Sequence, residues 1–176
     1  MITSYTHAAV DNLLVKLIES GMNGSRNRVD LLRIGRKSSC HVDVHSILAS
    51  EVALEREREM AEADRNVYSN QSNSCAREKP TAQALYNVIS RARIIGVSAL
   101  TVPRTALLVG QHFDTVIVDE AGQMNQPATL GVLMAADSFV LVGDHMQLPP
   151  LVANEAAEEA GEFIRISPIS LQLSLI

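Results

Sequence analysis

Three short runs in the second half of the chain constrain its fold more than any other feature: Ile94-Ile95-Gly96-Val97-Ser98, Thr115-Val116-Ile117-Val118 and Phe139-Val140-Leu141-Val142. Each is apolar without alternation, and β-branched residues dominate them. That pattern marks strands covered on both faces, as in a parallel sheet flanked by helices, so the expected fold class is α/β. The first half supplies candidate helices. After a stub of strand at most, Ala8 to Glu19 carries Val10, Leu13, Leu14, Leu17 and Ile18 at helical spacing, with Gly21 and Gly24 to end it. Val29 to Ile34 reads as a short strand closed by Gly35. Residues 46–67 read as a helix whose dense mixed charge (Glu51, Glu55, Arg56, Glu57, Arg58, Glu59) suits a solvated face. Ser69 to Lys79 is polar and loop-like, and Pro80 can start a helix through Ala92.

A length of 176 residues suits one domain with a real core. The net charge of -5 gives no global reason to bind nucleic acid, so any such surface must be local. The most basic stretch holds Arg26, Arg28, Arg33, Arg36 and Lys37; it reads either as a track for a nucleic-acid backbone or as a solvated strand edge. Cys40 and Cys75 are far apart in no metal-ligand spacing, which suits two reduced thiols in an intracellular protein. No apolar run approaches membrane-spanning length, and the polar start is no secretory signal.

Two of the strands finish in chemistry. The run from Phe113 to Val118 leads into Asp119-Glu120, and the run from Phe139 to Val142 leads into Gly143-Asp144-His145-Met146-Gln147. Ligands of open α/β sheets sit just beyond the carboxyl ends of strands. Neighbours on a regular strand point to opposite faces, so Asp119 and Glu120 serve one site only if the chain turns there, and Ala121-Gly122 permits a turn. One carboxylate can then help hold Mg²⁺ while the other orients or deprotonates a water. The alternative is that the two acids cap a following helix. The stretch from Gln126 to Ala136 is long enough for a crossover helix, with Pro127 in its first turn and Leu130, Leu133 and Met134 at helical spacing. Residues 113–152 are therefore expected to form two parallel strands of one sheet, with Asp119, Glu120 and Gln147 converging at its carboxyl edge.

In this setting the sequence resembles the superfamily 1B DNA helicases. Val118-Asp119-Glu120-Ala121 is similar to helicase motif II, and Val142 to Val152 (VGDHMQLPPLV) to motif III. The opening Thr3 to Leu14 (TSYTHAAVDNLL) is similar to motif Ia, and Ile95 to Thr101 sits where motif Ic falls. Order and spacing match the first RecA-like domain, a P-loop NTPase sheet, over residues 2 to about 158. The opening and the GDHMQLPPLV run look most like the helicase/nuclease type that matures Okazaki fragments; the relative acting in RNA decay is the nearest competitor.

The resemblance implies roles. Asp119 would bind Mg²⁺ together with ATP, and Glu120 would activate the water that attacks the γ-phosphate. Gln147 would sense that phosphate, and Asp144 would help couple hydrolysis to strand movement. Ser4, Tyr5, Thr6, Ser98 and Thr101 would touch single-stranded DNA (RNA is possible) without reading sequence; helix capping and turn chemistry are the alternative for these five. His7 and His145 lie inside matched motifs with no partner at metal spacing, and suit hydrogen-bonding roles. The family further implies single-strand-binding and replication proteins as partners, a nuclear location and no membrane.

The departures are specific. No GxxxxGK[ST] occurs in the 176 residues, so the loop that cradles the β- and γ-phosphates is not among them. Nor are the second RecA-like domain and the nuclease, whose part would hold an iron–sulfur cluster. Ser98-Ala99 stands where relatives often have Thr and Cys. Residues 1–161 thus read as a partial RecA-like domain with a helical or loop insert at about 38–90, followed by a divergent tail, 162–176, in which Pro168 interrupts the expected helix. The expectation is a fragment or misread gene model of an ATP-dependent helicase, with an open sheet edge and no activity of its own. The alternative is a catalytically inactive module that binds single strands or a partner.

Overall fold

The computed structural model describes residues 1–21, 31–67 and 78–144. In chain order these form β1 (Ile2–Ser4), α1 (His7–Glu19), β2 (Leu31–Ile34), α2 (Ala49–Val67), α3 (Ala82–Ile89), β3 (Ile94–Ser98), β4 (Phe113–Asp119), α4 (Gln126–Leu133) and β5 (Ala136–Leu141), with short 3-10 turns between them. The strands make one five-stranded sheet in the order β2-β3-β1-β4-β5, every pair parallel. The α/β expectation holds. The three-residue stub β1 is the central strand, and β4 and β5 are adjacent and parallel as the sequence predicts.

Register assigns the faces. Ser4 pairs with Ser98 and Asp119, Ile2 with Gly96 and Ile117, Arg33 with Gly96, and Ile117 with Val140. Paired residues point the same way and alternate along each strand. One face therefore carries Arg33, Gly96, Ser4, Ser98, Ile117, Asp119 and Val140, and the opposite face carries Leu32, Ile95, Val97, Val116 and Val118. The second face holds the larger core, where α2 contributes Val52 and Ala53, α3 Val88 and Ile89, and α4 Val132. On the first face α1 packs Val10 and Leu14 with Leu31, Val44 and Ile47. The stretch marked by its sequence as an insert thus supplies buried side chains to both cores.

Local chemistry fixes the helix ends. Thr6 is extended, and its Oγ1 accepts from the Ala9 N–H at 3.2 Å, capping α1. Gly21, at φ 84, turns the chain away at the far end; Gly24 lies outside the described residues. Asn125 caps α4 by accepting from the Ala128 N–H at 3.0 Å, and Pro127 sits in the first turn. Thr81 caps α3, so Pro80 lies just before the cap rather than inside the helix.

Four expectations need correction. The strands are covered on both faces only across β2, β3 and β1; on β4 and β5 the α1-side face is open among the described residues, with Ile117 and Val140 39% and 44% exposed. The crossover helix turns Thr129 and Val132 inward while Leu130 and Met134 point outward. Thr129 can be buried because its hydroxyl donates to the Asn125 carbonyl. The charged face of α2 is not wholly solvated, since Glu57 accepts from both the N–H and hydroxyl of Thr81 and ties α2 to α3. Arg33 belongs to neither a nucleic-acid track nor a solvated edge: it is fully buried. Of its basic neighbours, Arg36 and Lys37 are exposed, while Arg26 and Arg28 lie outside the described residues.

Candidate functional site

Because all strands are parallel, their carboxyl ends open on one edge. The exits lie in the order Gly35 after β2, Ala99 after β3, Tyr5 after β1, Glu120 after β4 and Val142 after β5. The two exits that carry acids are stitched together. The Val142 N–H donates to the Val118 carbonyl at 2.8 Å, and the Ala121 N–H donates to the Val142 carbonyl at 2.8 Å. Gly143 passes so close that a Cβ on it would lie 2.9 Å from the Gly122 amide nitrogen. Asp119, Glu120 and Asp144 are thereby gathered at one corner. Gln147 and His145 lie outside the described residues.

The turn that lets neighbouring acids serve one edge is made by Glu120 itself. Its φ of 55 is the one positive value on a non-glycine among the described residues. This left-handed conformation costs a side chain with a Cβ about 1–3 kcal/mol, and such strain gathers at functional sites. The expected role of Ala121-Gly122 differs accordingly: they form a 3-10 turn after the reversal. Glu120 makes no capping bond with its side chain. Its carboxylate instead accepts from the Gln123 amide at 3.0 Å, one turn ahead. Gln123 was missed in the sequence; its spacing of three from Glu120 was the available signal.

Among the described residues no group of three or more His, Cys, Asp or Glu could hold a metal by itself. A half-buried Asp119 at the strand end fits Mg²⁺ only in its usual form, one or two carboxylates completed by nucleotide phosphates and water. A cleft of about 760 Å³ opens elsewhere, lined by Ile2, Leu31, Ile94 and Phe113, the first residues of their strands. It lies at the amino edge, across the sheet from the acids, and is no part of this site.

The hydroxyl set divides. Tyr5 and Thr6 are exposed at the exit of β1, and Thr101 is half-buried beyond β3. Ser4 and Ser98 are buried, 0% and 3% exposed. Ser98 shares a 2.7 Å hydrogen bond with Thr101, and the Ala99 N–H donates to the Ser4 carbonyl at 2.9 Å. For Ser98 that is turn chemistry; the buried Ser4 hydroxyl has no hydrogen-bond partner among the described residues.

His7 bonds to Arg33 through Nδ1 at 3.1 Å. Burial, then the Arg33 charge, lowers its pKa from 6.5, which favours the neutral ring that can accept from Arg33. Cys40 is a half-buried thiol that burial pushes up, and Cys75 lies outside the described residues.

The chain matches the family model described as an AAA domain over residues 49–155. It is 35% identical over 161 residues to the DNA replication ATP-dependent helicase/nuclease DNA2 of Xenopus laevis, covering 92% of this chain and 12% of that protein. To the DNA replication ATP-dependent helicase/nuclease JHS1 of Arabidopsis thaliana it is 34% identical, over 92% of this chain and 10% of the relative. To DNA2 of Homo sapiens the identity is 32%, over 92% and 12%. The chain thus spans roughly a tenth of the length of the curated relatives it matches.

Proposed function

This chain belongs to the AAA domain family, and from that premise we propose that it forms part of the first motor domain of an ATP-dependent DNA helicase of the helicase/nuclease type, which couples ATP hydrolysis to movement on single-stranded DNA. The observation that carries the reading is the stitched corner, where Asp119, the strained Glu120 and Asp144 leave two adjacent parallel strands at one edge. Bound Mg-ATP supplies the phosphate to be cleaved and the cation that offsets its charge. Asp119 contributes a carboxylate to that cation. Glu120 orients and deprotonates the attacking water, with Gln123 fixing the carboxylate's direction. Asp144 passes the state of the corner toward the nucleic-acid side of the edge, and Gln147 senses the γ-phosphate.

Along the same edge Tyr5, Thr6 and Thr101 face single-stranded DNA, with ring and hydroxyl chemistry that tolerates any sequence. Ser4 and Ser98 shape that surface from beneath. Single-strand-binding and replication proteins are the expected partners and the nucleus the expected location. No described helix is long and apolar enough to cross a membrane.

A second reading is an inactive module that binds single strands or a partner. The two are separated by the genomic sequence upstream of Met1 together with a phosphate-release assay. The motor reading predicts an in-frame GxxxxGK[ST] upstream and no DNA-stimulated turnover by the 176 residues alone. Turnover that survives Glu120→Gln contradicts it, and a stop codon directly upstream favours the inactive module.

A further inference from the structure

The described part of the molecule holds one buried ion pair, and it lies outside the acidic corner. Arg33 of β2 is 0% exposed, and its Nε donates to Asp11 Oδ1 of α1 at 2.6 Å. The remaining nitrogens are engaged as well, Nη1 with the Ile34 carbonyl at 2.7 Å and Nη2 with His7 Nδ1 at 3.1 Å. The second carboxylate oxygen of Asp11 accepts from the His41 N–H at 2.7 Å. His7 and Asp11 are four residues apart on one helix face. The pair therefore joins three segments: the start of α1, the end of β2 and the turn that follows β2.

Stability alone is a weak reason for such a pair, because desolvation offsets most of the attraction and an apolar replacement of similar volume is often as stable. What a fully bonded guanidinium adds is fixed geometry. Each joined segment runs directly into an exposed group at the carboxyl edge. His7 follows Tyr5 and Thr6; Arg33 precedes Arg36 and Lys37, also exposed. Lys37 lies 3.0 Å from Glu51, so Arg36 is the better candidate for a phosphate contact.

We propose that the buried His7–Arg33–Asp11 cluster is a positioning element for nucleic-acid binding, locking the Tyr5-Thr6 exit to the Arg36-Lys37 turn so that both act on one single-stranded backbone. The Arg36-Lys37 turn thereby becomes the β2 end of the strand-binding edge. This rests on the reading that single-stranded DNA lies along the edge.

The test is fluorescence-anisotropy titration of a labelled oligothymidylate with the full 176-residue chain over a range of salt. Arg36→Ala should weaken binding and reduce the slope of log affinity against log salt by about 0.7, the ion release of one single-strand phosphate contact. Arg33→Met combined with Asp11→Leu replaces the pair with apolar bulk. It should stay folded by circular dichroism, bind about fivefold more weakly, and show no further slope change when Arg36→Ala is added. Should that double variant not fold, Arg33→Lys keeps the charge but cannot hold His7 and Ile34 together, and the same loss is expected. A folded double variant, or Arg33→Lys, that binds within twofold of the parent overturns the inference while leaving the strand-binding reading intact. An unaltered slope in Arg36→Ala also overturns it. No binding by the parent chain overturns both.

Discussion

Leu14 of α1 occupies the space that a side chain on Gly96 would need: its Cδ1 lies 2.6 Å, and its Cγ 3.1 Å, from where a Cβ on Gly96 would sit. Both residues are deep in the fold, Leu14 fully buried and Gly96 in the middle of β3. The missing Cβ lets α1 lie close on β3. Gly96→Ala should therefore destabilise the chain by about 1–3 kcal/mol, the usual cost of overpacking a core. Urea unfolding measures this; a neutral substitution would show that α1 rides higher on the sheet than described.

Acid should weaken the anchoring of α1. The pKa of His7 is lowered from 6.5 in the fold, first by burial and then by Arg33, so between the folded value and 6.5 the unfolded chain binds more protons. Stability from this group then rises with pH through that window, is fully present above it and is lost toward acid. Lowering the pH from about 7.5 to 5.5 should reduce the urea midpoint, and His7→Asn should flatten that dependence. The Met1 ammonium, also lowered by burial, acts in the same direction in both proteins and cancels in the comparison. An equal slope in the two would remove His7 as its source.

The open half of the sheet should govern solubility. Ile117, Val140 and Val142 are exposed, and β5 is an edge strand of the described sheet. Apolar edges of this kind pair with other copies. Val140→Lys should lower aggregation of the 176-residue chain in light scattering and change stability by no more than about 0.5 kcal/mol. Unchanged aggregation would place the association elsewhere.

The parallel sheet and its acid-bearing exits were legible because continuous apolar runs and the polar groups that end them are local signals. What escaped depended on contacts distant in sequence or on local geometry that pattern and propensity do not register. Arg33 looked like one charge in a basic stretch, yet its partner Asp11 is 22 residues away. Leu130 and Met134 had the right spacing for a core stripe, but a hydroxyl satisfied within its own helix let Thr129 take the inward position. Periodicity assigns a stripe; it does not decide which stripe the sheet meets. Ser4 and Ser98 stand at motif positions, and the burial that sets them apart from the exposed Tyr5 and Thr6 comes from packing that no motif records. Ala121-Gly122 permits a turn, yet the reversal falls on Glu120, because a strained acid is invisible to propensity.

The proposed role of Glu120 is the base of an ATP-hydrolysing corner. The most direct measurement compares wild type with Glu120→Gln in a protein carrying this chain together with a phosphate-binding loop and a second motor domain. DNA-stimulated phosphate release is measured beside nucleotide affinity. The amide keeps the size of the carboxylate and loses its basicity, so hydrolysis should fall by about 10²-fold or more while binding is retained. Near-normal turnover in Glu120→Gln would remove Glu120 as that base.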